Sequence, residues 1–308
     1  MTDVSILIPV LNGGEDLTSC LTAIAGQRYD DEIEVVIVDS GSSDGSVERA
    51  RSMGARVLEI PAREFDHGAT RNLLAGEARG EILAFISQDA RPVAADWLSR
   101  LTARLRADES IAGAYGRQVA RPDAVPPERY FLDFLYGAES RLQQIASAAE
   151  LSMETTLFSN ANSAIRRSWW QRLPFADDLI MSEDQDWARR VLLAGGRLAY
   201  EADATVCHSH PYTIAAAFRR FFDSGVSSER SYLSEGASNE ALRSNAARYA
   251  NGELRWLARS GHARWIPYTC VYELSKFAGL ALGKRHRHLP IGLKRRLSAH
   301  SHYWDRAS

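Results

Sequence analysis

Cysteine is scarce: Cys20, Cys207 and Cys270 are the whole supply in 308 residues. An odd, sparse set argues against a disulfide framework and for a reducing compartment. Long apolar runs are missing as well. Trp265 to Gly283 comes closest to a bilayer span, but Glu273 and Lys276 interrupt it. The N-terminus enters a strand-like run at once, with neither a basic n-region nor a cleavage site, so no secretory signal is expected. There is no internal repeat and no low-complexity segment. What remains is an ordinary soluble composition, 45% hydrophobic and 25% charged, in a chain long enough for one large domain or a domain with an appendage.

The net charge is only −2, but it is unevenly spread: Arg259 to Ser308 holds ten Lys/Arg against two Asp/Glu. Such asymmetry suggests a tail that meets an anionic surface.

Strand and helix signals alternate through the first two thirds. Val4 to Val10, Glu34 to Val38, Arg56 to Ile60, Ile82 to Ile86 and Ile111 to Val119 read as strands. Helical stretches lie between them, near 15–26, 47–53 and 94–106, with a short one led into by Asp66 to Asn72. The serines of Ser40 to Ser43 are good caps for the second of these. This order makes βαβ units and a mostly parallel sheet flanked by helices, an α/β fold. Pro122, Pro126 and Pro127 mark a loop, and Tyr130 to Ile145 looks like an amphipathic helix. Phe158 to Ile165 and Ala204 to Cys207 are strand-like. A helix from Ser182 to Ala194 carries a capping-box pattern, Ser182 with Gln185, and Gly195-Gly196 stops it. Beyond Tyr212 the pattern is wholly helical, which places a boundary between a core of residues 1–212 and an extension of residues 213–308.

The stretch Glu81 to Pro92 organises the core. A buried strand breaks abruptly into Ser87-Gln88-Asp89, and Pro92 prevents it from resuming. A carboxylate at the C-terminal end of such a strand sits where open α/β sheets place ligands, and Asp89 could bind a divalent cation there. The alternative is a plain cap for the helix near Asp96. Asp39 and Asp44 follow the second strand, near Asn12, where a carboxylate can accept from a ribose or base; Ser-Asp-Gly is also common turn chemistry. Arg71, in the loop-to-helix stretch Asp66 to Asn72, could clamp a diphosphate or simply start a surface helix. Glu183, Asp184 and Asp186 crowd one helix N-terminus, where the dipole favours ionisation and mutual repulsion opposes it. A base that takes a proton from a hydroxyl benefits from that tension, although acidic first turns are common in any helix. Cys207-His208-Ser209-His210 lacks the second pair that a zinc site needs, but an imidazole there can complete a metal site begun by Asp89.

In this order, Ile8-Pro9-Val10-Leu11-Asn12, Val38-Asp39-Ser40-Gly41-Ser42-Ser43-Asp44-Gly45, Gly68 to Asn72, Phe85 to Asp89 and Ser182-Glu183-Asp184 resemble the inverting GT-A glycosyltransferases of family 2, which use nucleotide-sugars. The Phe65 to Asn72, Ser87 to Ala90 and Val206 to His210 stretches look more like the branch that uses dTDP-L-rhamnose to build bacterial surface glycans. The resemblance implies a GT-A sheet over residues 1–212. Asp39 would contact the base or ribose, with Pro9, Asn12, Ser40 and Asp66 nearby. Arg71 and Gln88 would face the donor. Asp89, helped by His208, would hold Mg²⁺ or Mn²⁺ on the diphosphate, and Asp184 would be the base, with Glu183 beside it. One departure is that Gln88 precedes a single Asp89 where the family usually shows an Asp-x-Asp pair.

The partners implied are a nucleotide-sugar donor and a glycan or lipid-linked oligosaccharide acceptor. The aromatic and basic extension suits an anionic membrane surface on the cytoplasmic side, or else a helical cap with a solvated basic face. No nucleic-acid motif accompanies the charge. Rival readings are another donor such as a UDP-sugar, a sugar nucleotidyltransferase, and a membrane-associated scaffold with an inactive sheet. The nucleotidyltransferase would need basic residues in Val10 to Gly14, which are lacking.

Overall fold

A computed structural model describes residues 3–231 and 239–306. Strand β1 (Val4–Val10) shows why the chain builds layers. Its side chains alternate, so Val4, Ile6, Ile8 and Val10 enter one hydrophobic cluster and Leu7 the other. The core continues through α1 (Gly14–Ala25), β2 (Ile33–Asp39), α2 (Ser46–Ser52), β3 (Arg56–Glu59), α3 (His67–Glu77), β4 (Ile82–Ile86), β5 (Arg91–Pro92), α4 (Trp97–Ala107) and β6 (Ile111–Val119). It closes with α5 (Pro126–Leu135), β7 (Arg141–Gln143), β8 (Asn162–Arg166), α6 (Arg167–Arg172), α7 (Glu183–Leu193) and β9 (Arg197–Cys207).

The sheet runs β3-β2-β1-β4-β8-β6-β9-β5, with β7 paired to β9. Its β3-β2-β1-β4 half is parallel, as alternating strands and helices require. Beyond β4 it becomes mixed: β8 is antiparallel to both β4 and β6, while β6 and β9 run parallel. One face is covered by α1 and α4 through Leu17, Leu21, Leu98, Leu101 and Leu105. The other is covered by α3 and α7 through Leu74, Trp187 and Val191.

Several local expectations are corrected. The helix expected over Tyr130–Ile145 spans Pro126–Leu135 and gives way to β7. Pro126 and Pro127 start it, since a first-turn proline forfeits no intrahelical bond. Pro92 lies in a two-residue strand against Val206. Gly45, left-handed at φ +81°, precedes α2 in place of a serine cap, because Ser42 turns its hydroxyl to Asp39. The capping box at Ser182 does not form: Ser182 is itself left-handed at φ +66° and makes no side-chain cap bond.

The remaining elements are helical: α8 (Ile214–Ser231), α9 (Asn239–Arg259), α10 (Ile266–Gly283), α11 (Ile291–Leu297) and α12 (Tyr303–Arg306). Helices α8 and α10 cross very closely. A Cβ at Gly279 would lie 2.4 Å from the Phe218 carbonyl oxygen, and one at Gly283 would lie 2.0 Å from that of Phe222. Phe222 and Trp304 then pack with Ile180 and Met181, just ahead of α7. No described helix is long and apolar enough to cross a membrane.

Candidate active site

The loops after β1 and β2 are laced together. Asn12, left-handed at φ +48°, donates its N–H to Ser42 Oγ at 2.7 Å and accepts from the Ser43 N–H through Oδ1 at 2.9 Å. Ser42 Oγ in turn donates to Asp39, whose carboxylate also takes the Gly41 and Ser42 N–H groups at 2.9 Å. Asp39 is buried, with Oδ2 taking both N–H groups and Oδ1 the Ser42 hydroxyl. Ser40 turns its hydroxyl to the Val10 carbonyl, and Pro9 sits in register with Val38. Asp44 accepts from Gly14 N–H and from Ser46, whose hydroxyl is the largest cause of its lowered pKa. Gln88 pairs with both backbone groups of Leu11, at 2.9 and 3.1 Å, and so ties the end of β4 to the same loop.

Asp66 caps α3, accepting from Gly68 and Ala69 N–H at 2.9 and 3.0 Å. Gly68 is required there because a Cβ would lie 1.8 Å from the Ala176 oxygen. Asn72 locks the same strap, bonding the Phe175 backbone on both sides and the Trp170 indole. Arg71, the expected donor-side arginine, is tied to α7. Its Nη1 is 2.7 Å from Glu183 Oε1, with both side chains buried.

Asp184 stands beside that pair. Its Oδ2 accepts from Asn160 N–H at 3.1 Å and its Oδ1 from Gln185 N–H at 2.8 Å. Burial, then the Glu183 charge, push its carboxyl up to about 7, against the opposing pull of Arg71. Asn12 and Ser182 are the two described non-glycine residues with positive φ, and both border this sheet end.

Asp89, His208 and His210 offer ligand atoms that all lie within 4.8 Å of one another. His208 Nε2 is 3.4 Å from Asp89 Oδ1, and His210 Nδ1 is 3.5 Å from Asp89 Oδ2. The donor set fits a divalent cation on a specific observation: His208 Nδ1 meets Gln118 Oε1 at 2.7 Å. That bond fixes the tautomer and leaves Nε2 as a lone-pair donor. Burial, then its neighbour His208, lower His210 to about 4, which keeps its ring neutral. Burial would raise Asp89, but the hydrogen bond and positive charge that His208 and His210 supply when protonated outweigh it and lower the carboxyl to about 2; with neutral rings that pull is absent and the carboxylate is open to a cation.

The two halves meet. Gln118 Nε2 donates to Tyr136 Oη at 2.7 Å and to Ser159 Oγ at 3.0 Å. Ser159 adjoins Asn160, which holds Asp184, and the Ser87 N–H reaches the Ala161 carbonyl at 3.4 Å. Asp89 and Asp184 therefore share one end of the sheet, joined through the turn before β8. Residues that the motifs did not reveal are Gln118, Asn160 and Arg220. On the exposed side of α8, the Arg220 guanidinium lies 5.7 Å from the Tyr212 ring, which is 5.1 Å from the His210 ring. Its charge also reaches His67, His300 and Tyr136.

A half-parallel sheet with acidic and imidazole groups gathered at the carboxyl ends of its strands is the layout of a nucleotide-binding α/β enzyme. The chain belongs to the Glycosyl transferase family 2, whose pattern it matches over residues 5–173. It is 32% identical over 98% of its length to the O-antigen chain rhamnosyltransferase RfbN of Salmonella typhimurium, covering 96% of that protein. It is 30% identical over 99% of its length to the O-antigen chain rhamnosyltransferase WbaN of Salmonella anatum, again covering 96%. Among solved structures, the mannosyltransferase PcManGT from Pyrobaculum calidifontis, in complex with GDP-Man and Mn²⁺, shares the fold with a TM-score of 0.62 at 20% identity. That match covers 91% of this chain and 86% of the other.

Proposed function

We propose that this glycosyltransferase moves L-rhamnose from dTDP-L-rhamnose, with inversion, to a glycan or lipid-linked oligosaccharide acceptor in bacterial surface polysaccharide synthesis. The observation that carries this reading is the convergence of the Asp89–His208–His210 cluster and Asp184 on one sheet end, connected through Gln118, Ser159 and Asn160. Similarity to two O-antigen rhamnosyltransferases along nearly the whole chain supports the choice of sugar. Residues 1–212 would form the transferase domain, and residues 213–308 would face the acceptor at the cytoplasmic side of the membrane.

The roles follow from chemistry. Asp39, held by its own turn, presents its edge toward the base or ribose, with Pro9, Asn12, Ser40 and Asp66 framing that side. Asp89, His208 and His210 would hold Mn²⁺ or Mg²⁺, which would supply positive charge to stabilise the nucleoside diphosphate leaving group. Two imidazoles beside one carboxylate favour Mn²⁺, because Mg²⁺ prefers an all-oxygen shell. Asp184 takes the proton of the acceptor hydroxyl as its oxygen attacks the anomeric carbon, and the bond from that carbon to the diphosphate breaks on the opposite face. Arg71 and Glu183 set the ionisation of Asp184. Gln88 keeps the Leu11 loop against the donor side.

A screen of nucleotide-sugars with Mn²⁺ tests the proposal, following nucleoside diphosphate release and the anomeric configuration of the product. Release of dTDP with inverted product supports it. Turnover of a UDP-sugar alone overturns the donor, and release of pyrophosphate overturns the reaction class.

A further inference from the structure

Helix α10 is built with its polarity reversed. Toward α8 and α9 it turns Thr269, Glu273, Lys276, Gly279 and Gly283, all buried. The glycines allow the close crossing with α8, while the Lys276 ammonium, 2.7 Å from Glu273, is surrounded by the rings of Phe131, Phe221, Tyr249 and Tyr272. Three of its large apolar residues point outward, Val271 at 53% exposed, Leu274 at 70% and Phe277 at 40%, while Leu282 packs with Phe222 and Trp304. Ala278 and Ala281 continue that stripe at helical spacing. A helix of a folded core puts these residue types the other way round, so the outward stripe needs a separate cause.

The stripe ends in cations. Arg285 lies one turn beyond Ala281 and donates to its carbonyl at 3.3 Å, so the guanidinium folds back over the last turn. Lys284, Arg287, Lys294, Arg295 and Arg296 follow, while exposed Ile291 and Leu293 open the next helix. Arg295 pairs with Asp305. From Leu274 to Trp304 the sequence contains no Asp or Glu.

We infer that the outward face of α10, with Arg285 and the basic segment after it, is a docking surface for an anionic phospholipid bilayer. Val271, Leu274 and Phe277 enter the acyl boundary, and the cations meet the headgroup phosphates. A second copy of the chain fits less well, since it brings the same cations and no acidic partner along this stretch. The inference deepens the proposed reading by naming the surface on which a lipid-linked acceptor would be met.

Flotation of the full chain with vesicles tests it, using phosphatidylcholine alone and an equimolar mixture with phosphatidylglycerol. Binding to the mixed vesicles and little to the neutral ones is expected. Leu274→Glu should lower partitioning by roughly tenfold or more, and Arg285→Glu should weaken it on mixed vesicles only. Both exposed changes should leave thermal unfolding and transfer to a soluble acceptor unchanged. Equal flotation of the parent and Leu274→Glu, or no flotation of the parent, overturns the inference. So does a dimer in light scattering that Leu274→Glu dissolves. Vesicle binding is read without turnover, so its failure leaves the donor screen standing, and the reverse also holds.

Discussion

Arg71 Nη1 lies 2.7 Å from Glu183 Oε1, and the pair is buried next to Asp184. Two neighbouring carboxylates at one helix N-terminus cannot both ionise freely without compensation. Arg71 balances the first, and the second is left poised. The arginine that the sequence offers as a donor clamp thus also bears on the charge state of Asp184, the proposed base.

The first prediction concerns pH and rate. A base raised to about 7 gives transfer that increases with pH through neutrality, because only the ionised carboxylate takes the proton. Glu183→Gln removes the charge that helps raise Asp184, so the limb moves to lower pH. Arg71→Met leaves that charge uncompensated, so the limb moves to higher pH. It should also destabilise the fold by about 3–5 kcal/mol, the usual cost of stranding one partner of a buried pair. Rate–pH profiles with thermal unfolding check all three; limbs that coincide would remove the pair from this role.

The second concerns Asp184 itself. Asp184→Asn should lower transfer by about 10²-fold or more, while donor affinity by calorimetry stays near that of the parent. Stability should respond in the opposite sense. A carboxyl raised in the folded state is favoured when protonated, and that contribution is full below about pH 4. It is lost as pH rises through about 7. The asparagine variant lacks the ionisation, so it should gain on the parent between those limits and hold the gain above them. Melting curves at pH 5 and pH 8 decide, and an unchanged difference between parent and variant contradicts the placement.

Strands β1 to β4 and β6 were legible because β-branched or apolar runs end in turn residues, and Asp39 and Asp89 stand at the ends of two of them, while Asp184 opens a helix; β5, β7 and the first half of β9 were not read. What was hidden depends on contacts across the chain. Gln118 lies on a strand and has no local signal, yet it orients His208 ninety residues away. The Arg71–Glu183 pair is equally invisible to spacing. Ser182 looked like a capping residue because the rule assumes an ordinary helix entry. Here the left-handed turn precedes acidic side chains that bond Asn160 and Arg71. The apolar spacing of Phe131, Leu135, Leu142 and Ile145 suggested one long helix, but the helix ends at Leu135 and Leu142 is exposed on an edge strand. Pro126 and Pro127 did carry a usable signal, since paired prolines open a helix as readily as they mark a loop.

The third prediction isolates Gln118. Gln118→Leu removes the acceptor that fixes the His208 ring without touching any ligand atom. Mn²⁺ affinity should fall about 10- to 100-fold, the usual effect of losing such a partner. Calorimetric titration of Mn²⁺ into the donor complex measures this, and Gln118→Glu, which keeps an acceptor, should retain most of the affinity. Equal affinity in Gln118→Leu would mean that the ring is held by other contacts.

The fourth concerns Arg220. Arg121, which bonds the Asp89 carbonyl at 3.3 Å, is paired with Asp16, whereas the Arg220 guanidinium lies 5.7 Å from the Tyr212 ring, itself 5.1 Å from that of His210. Arg220 stands on the exposed side of α8, so its loss leaves no cavity. A diphosphate at the cluster would meet this cation from the side of the helical extension, and its charge grows as the sugar departs. Arg220→Gln should therefore raise the donor KM and lower kcat together, by about tenfold in kcat/KM, an effect of roughly 1.4 kcal/mol. Arg220→Lys should recover part of the loss, because the charge returns without the planar fork. Arg219→Gln, one residue away on the same helix, serves as the control for a change in surface charge. Kinetics of Arg220→Gln that match the Arg219→Gln control would place the diphosphate elsewhere.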